Sequence, residues 1–84
     1  MSLEVVYDVG RLKSLRLAAG YSQRAVSKRI RDFYDTGVSP SHISKYERGL
    51  RTPTGGHLYM ICQTFTAILH RPVLMEGFYH AEEA

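Results

Sequence analysis

Hydroxyls, an ammonium and guanidinium groups recur at helical spacing between Ser39 and Pro53. At 100° per residue, Pro40, Ser41, Ser44, Lys45 and Arg48 fall in one arc, while Ile43 and Tyr46 point away from it. Such a face has the chemistry to read a groove of double-stranded DNA. The Lys45 ammonium matches the N7 and O6 acceptors of guanine, and the Ser41 and Ser44 hydroxyls are permissive readers of several bases. Arg24, Lys28 and Arg31 form a second basic stripe at i, i+4 and i+7, and with Arg48 and Arg51 they suit phosphates, which supply affinity without sequence information.

Local signals define the helix that must carry the reading face. Ser39 is a good N-cap, Pro40 suits the first helical position, and Val38 can staple onto Ile43. Gly49 is a natural C-terminal stop and Pro53 forbids continuation. Upstream, Asp8 can cap a first helix bearing Val9, Leu12, Leu15 and Ala19, which Gly20 ends. Ser22 then caps a second helix, with Tyr21 stapling to Val26 and an apolar side of Val26, Ile30, Phe33 and Tyr34 that carries it past Ile30. Asp35-Thr36-Gly37 is the turn into the third helix. After Pro53, a fourth helix with Leu58, Ile61, Cys62, Phe65, Ile68 and Leu69 runs to about His70, where Pro72 breaks or restarts the chain.

Two charged residues fall where these patterns want apolar ones. Arg16 lies between Val9 and Leu12 on the first wheel, and Glu47 beside Ile43 on the inward side of the third. Together they can form a bidentate ion pair locking the two helices, with geometry rather than net stability as its product. The bland alternative is that each snorkels to water.

Composition bounds the rest. With 84 residues, 44% of them hydrophobic, the chain builds one small core, which oligomerisation would supplement. Ten of its eleven Lys and Arg lie between residues 11 and 51, against Asp32, Asp35 and Glu47 alone, so the middle is the expected polyanion surface. A lone Cys62 excludes an intrachain disulfide and a thiolate metal cluster, and reads as a small core residue. His42, His57, His70 and His80 lack metal-ligand spacing and read as surface histidines. No nucleophile, base and orienting group assemble, so neither an enzyme nor a cofactor is expected. No apolar run approaches a membrane span, which points to the cytoplasm.

Residues 9 to 66 resemble the lambda-repressor-like, Cro-type (XRE-type) helix-turn-helix family. The likeness is carried by Arg11-Leu12-Lys13 and Arg16, by Gly20-Tyr21-Ser22-Gln23 and Gly37-Val38-Ser39, and by the run from Ile43 to Pro53. It implies an operator-binding regulator, mostly a repressor or antitoxin-type autoregulator, that inserts the second helix of its motif into the major groove as a dimer. It further implies Gln23 and Ser39 on phosphates, Pro40, Ser41, Ser44 and Lys45 at base edges, Arg48 and Arg51 near the backbone, and an Arg16–Glu47 pair. Three features depart from the family pattern. Residues 31 to 36 intervene before Gly37, which implies a longer second helix; Pro40 replaces a polar reader and offers only apolar contact; and Gly55-Gly56 imply a late start to the fourth helix.

The expected architecture is therefore all-α, a single compact domain of four to five helices with its core in residues 8–70. Residues 71–84 are a possible dimerisation segment through Val73, Leu74, Met75, Phe78 and Tyr79. That segment can form a fifth helix or an extended strand, with Val5, Val6 and Tyr7 as a patch to pair with it, and both arms can instead wrap their own core. The expected function is a DNA-binding regulator, a repressor acting as a homodimer on a palindromic operator. An antitoxin or regulatory subunit that mainly binds a partner protein is the alternative.

Overall fold

Four side-chain caps set the starts of the helices. The computed structural model describes residues 2–83. In it the Asp8 carboxylate accepts from Gly10 N (3.1 Å), Ser22 Oγ from Ala25 N (3.0 Å), Ser39 Oγ from His42 N (3.1 Å) and Thr54 Oγ1 from His57 N (3.2 Å). These caps open α1 (Val9–Ala19), α2 (Gln23–Tyr34), α3 (Pro40–Glu47) and α4 (Gly55–Leu69). The Thr54 cap corrects one expectation, since α4 starts at Gly55 rather than late. A side-chain acceptor for the first-turn N–H groups offsets the poor helix propensity of two glycines.

The ends follow from left-handed residues. Gly49 has φ +73°, and the bonds Gly49 N→Tyr46 O (3.4 Å) and Leu50 N→Lys45 O (3.0 Å) satisfy the last carbonyls of α3. A Cβ at Gly49 would lie 3.2 Å from Cγ2 of Val9, so this glycine also permits the close approach of α1. Helix α2 runs past Ile30 as its apolar pattern requires, and stops at Asp35 in the left-handed conformation. Phe33 departs from that pattern. It is 49% exposed, with the Arg29 guanidinium 5.3 Å from its ring centroid, while the core is filled by Ile30 one turn earlier and Val26 two turns earlier.

The domain is not all-α. Residues Leu3–Tyr7 form β1 and Tyr79–Glu83 form β2, an antiparallel pair in which Leu3 faces Glu83, Val5 faces Ala81 and Tyr7 faces Tyr79. Between α4 and β2 a single 3₁₀ turn, Met75–Phe78, replaces the fifth helix. Pro72 lies just before it, and Thr66 holds the returning chain: its hydroxyl donates to Cys62 O (2.8 Å) and accepts the Val73 N–H (2.9 Å).

The core therefore extends beyond residues 8–70. Val73 and Phe78 are 4% and 0% exposed and pack with Leu12, Leu15, Ile61 and Phe65 in one cluster, which Tyr7 joins from the other arm. Two of the five residues expected at a dimer surface are thus consumed by the monomer's own core. Tyr79 is half-buried, edge-on to Tyr7 at 6.0 Å, while Leu74 and Met75 remain exposed. Cys62 is buried, and that burial pushes its thiol up to about 11. No helix among the described residues is long and apolar enough to cross a membrane.

The turn between α2 and α3 is pinned by a buried hydrogen bond, Ser27 Oγ donating to Val38 O at 2.7 Å. Ser27→Ala strands that carbonyl out of reach of water, and a loss of about 1–3 kcal/mol is expected. A lower urea midpoint at unchanged denaturant dependence is the readout; an unmoved midpoint would mean that the turn is held by packing of Val38 alone.

Candidate nucleic-acid interface

The candidate interface is built from one exposed side of α2 and the start of α3. The stripe of Arg24, Lys28 and Arg31 on α2 is exposed, and with Ser27 and Pro40 it lines one hollow of about 320 Å³. The first residue of α3 thus sits beside three cations from α2. Arg31 lies against Gly37, where a Cβ would stand 3.9 Å from its Nε. Lys28 also meets Asp32 at 3.1 Å, but both side chains are largely in water, so the contact holds Lys28 only weakly. Along α3, Pro40, Ser41 and Arg48 are exposed and Ser44 and Lys45 half-buried, while Ile43 and Tyr46 are buried beneath them. Arg51 is exposed beyond the Gly49 turn.

Beneath that face lies the Arg16–Glu47 pair. Arg16 Nε donates to Glu47 Oε2 (2.7 Å) and Nη2 to Oε1 (3.0 Å), while Nη1 reaches Tyr21 O (2.9 Å) in the turn between α1 and α2. The side chains are 12% and 4% exposed, so the charges face each other and not water. The hydrogen bond to Glu47 raises the guanidinium above its ordinary range, with burial opposing. Gln23 Nε2 also donates to Glu47 Oε1 (3.2 Å). The Gln23 side chain, expected at a phosphate, is directed inward to the ion pair by that bond. Tyr7, at the root of β1, is pushed up to about 12 by burial, with Tyr79, Asp8, Glu47 and Tyr46 adding to the shift.

Ser39 is similarly occupied. Its hydroxyl accepts the His42 N–H and lies 2.9 Å from His42 Nδ1, within hydrogen-bond distance. His42 and His57 are half-buried rather than surface residues, with ring centroids 5.0 Å apart, and the Tyr46 hydroxyl lies 2.6 Å from His57 Nδ1. This cluster joins α3 to α4. Spacing along one helix could not reveal it, because His57 arrives from another element, although His42 and Tyr46 at i and i+4 mark its α3 half. Burial lowers the His57 pKa first, and the neighbouring His42 lowers it further. Burial raises the Tyr46 phenol, with Arg51 pulling the other way. His70 ends α4 and His80 meets Glu82 at 2.8 Å, both exposed. Among the described residues no group of three or more His, Cys, Asp or Glu is placed to hold a metal ion.

Two measurements probe these contacts. Glu47→Ala leaves Arg16 unpaired in a poorly solvated site and should cost about 3–5 kcal/mol, part of which a joint replacement of both residues by apolar ones recovers. A double-mutant cycle without coupling would mean that the two charges act separately. His57 binds its proton more weakly in the folded than in the unfolded chain. Its share of stability is therefore complete above the ordinary histidine value of about 6.5 and is lost as pH falls below it towards the folded value. The melting temperature should drop between pH 7.5 and 5, and His57→Gln should shrink that drop; an unchanged drop would place the pH dependence elsewhere.

A family model described as helix-turn-helix matches residues 12–66, well over half of the chain, and spans α1 to α4 with the α2–α3 pair at its centre. Neither the curated proteins nor the solved structures compared with the chain gave a match. The matched residues take in the capped α3 with its polar outer face, the basic α2 beside its N-terminus and the Arg16–Glu47 pair beneath. The chain belongs to the lambda-repressor-like, XRE-type helix-turn-helix family of DNA-binding transcription regulators.

Proposed function

We propose that the protein is a repressor that binds a palindromic operator as a homodimer, with α3 in the major groove of each half-site. The observation that carries this reading is the hollow in which Arg24, Lys28 and Arg31 meet Pro40 at the start of α3. A phosphate seated there would place the reading face against base edges, because one backbone contact fixes both the register and the tilt of the helix. Lys45 then reads guanine, Ser41 and Ser44 accept several bases, and Pro40 offers an apolar contact such as a thymine methyl. Arg48 and Arg51 lie towards the following phosphates; Arg48 is now folded back on Ser44 O by a long 3.4 Å bond that DNA can replace. Gln23 and Ser39 act through their caps and partners more than through free side chains.

One short helix makes too few base contacts for tight specific binding, whereas two copies on one face of the duplex read half-sites about 34 Å apart. The residues that remain available near the C-terminus for joining them are Leu74, Met75 and the exposed part of Tyr79.

On a site selected from random DNA, about four phosphate contacts per subunit should give a log K against log salt slope of about −7. Lys45→Ala should relax preference at one position of each half-site, at roughly 1–3 kcal/mol, whereas Arg51→Ala should weaken all sequences alike. A slope near zero would remove DNA as the partner, and equal losses on all sequences from both substitutions would contradict the assignment of Lys45 to a base.

A further inference from the structure

The β1–β2 ribbon is the part of the molecule that its own core does not explain. Only Tyr7 is buried and only Val6 and Tyr79 are half-buried, while Leu3 and Val5 are 70% and 78% exposed. A two-stranded sheet is marginal in water without cover, and here its strands are joined by the whole domain instead of a tight turn. Alternation puts Leu3, Val5 and Tyr7 on one face with Glu83, Ala81 and Tyr79, and Glu4 and Val6 on the other with Glu82 and His80. The apolar face thus leaves the core at Tyr7 and Tyr79 and continues outward, bare, to Leu3.

The two free edges differ. β2 carries His80, Glu82 and Glu83, the charged guard typical of an edge that must stay unpaired; β1 is Leu-Glu-Val-Val-Tyr, rich in strand-favouring residues, with the single charge of Glu4. The hydrogen-bond phase shows which groups each edge offers. Asp8 N donates to Phe78 O at 2.7 Å, continuing the ladder, so in an antiparallel pair residues 4, 6 and 8 turn their N–H and C=O towards β2 while residues 3, 5 and 7 turn theirs to the open edge.

We infer that β1 pairs antiparallel with β1 of a second copy about a two-fold axis at Val5, forming a four-stranded sheet that joins the dimer. In that register Val5 faces Val5 of the second copy and Leu3 faces its Tyr7. Only outward-facing backbone groups meet, and each exposed Leu3 comes to rest beside the tyrosine rooted in the other copy's core. The faces carrying Leu3, Val5 and Tyr7 lie on one side in both copies, and those carrying Glu4 and Glu82 on the other. The charges agree with this occupant: Glu4, Glu82 and Glu83 make the ribbon a poor DNA ligand, and Glu4 faces Val6 of the second copy instead of its own twin.

The inference rests on the homodimer reading and names its joint. In size-exclusion light scattering the chain, 9.5 kDa as a monomer, should elute at twice that mass. Val5→Pro removes an outward N–H that β2 does not use, and should raise the dimer dissociation constant about 10- to 100-fold with the helical circular dichroism kept. Val5→Cys should cross-link on mild oxidation, since facing residues of such a pair stand about 5.5 Å apart, within disulfide reach; Cys62 is buried and does not compete. Ala81→Cys, on the other edge, should not cross-link. A monomer both free and on selected DNA overturns the homodimer reading together with this joint. A dimer that survives Val5→Pro, or that cross-links through Ala81→Cys and not Val5→Cys, overturns the β1 joint and leaves the homodimer standing.

Discussion

The bidentate contact between Arg16 and Glu47 is the constraint on which the presentation of α3 depends. Helix α3 has eight residues, too few to be stable alone, and its polar outer face keeps one direction only if the axis is held. Glu47 ends that helix, Arg16 projects from α1, and the same guanidinium takes the Tyr21 carbonyl at the turn into α2. One side chain therefore fixes three elements together. Burying two charges is costly, and an apolar pair of similar volume would stabilise the fold as well or better. What the pair supplies instead is direction, because a planar fork accepts a carboxylate in very few orientations.

The other contacts of α3 complete this frame. Ser27 fixes its entry through Val38, Val9 meets Gly49 just past its exit, and His57 holds Tyr46 from α4. The helix is thus gripped by α1, α2 and α4 on its inner side, and its outer arc is left free of structural duty. A helix fixed before it meets DNA loses little further freedom on binding, which keeps more of the contact energy for affinity and discrimination.

Charge is partitioned along the same division. The bases are concentrated on the helical body, where the α2 stripe and α3 share one hollow, and the ribbon carries Glu4, Glu82 and Glu83 with no Lys or Arg. The helical body therefore suits a polyanion, and the ribbon repels one. Tyr7 links them, because it closes the core from the root of β1 and stands within the electrostatic reach of Glu47.

The sequence by itself determined the helices, most of their boundaries and the ion pair. Caps, stop glycines and the 3.6-residue period are local, and Arg16 and Glu47 stood out because each interrupted an apolar stripe that neighbouring residues defined. The extension of α2 to Tyr34 was legible for the same reason. Tertiary structure alone decided the fates of the two arms. Val5, Val73, Phe78 and Tyr79 are equally apolar as letters, but a strand takes its cover from a segment more than seventy residues away, and no local period reports that pairing. The same holds for His42 beside His57 and for Gln23 turned onto Glu47: each is a polar group whose partner comes from another element, so its role appears only when the packing brings the two within hydrogen-bond or ring contact.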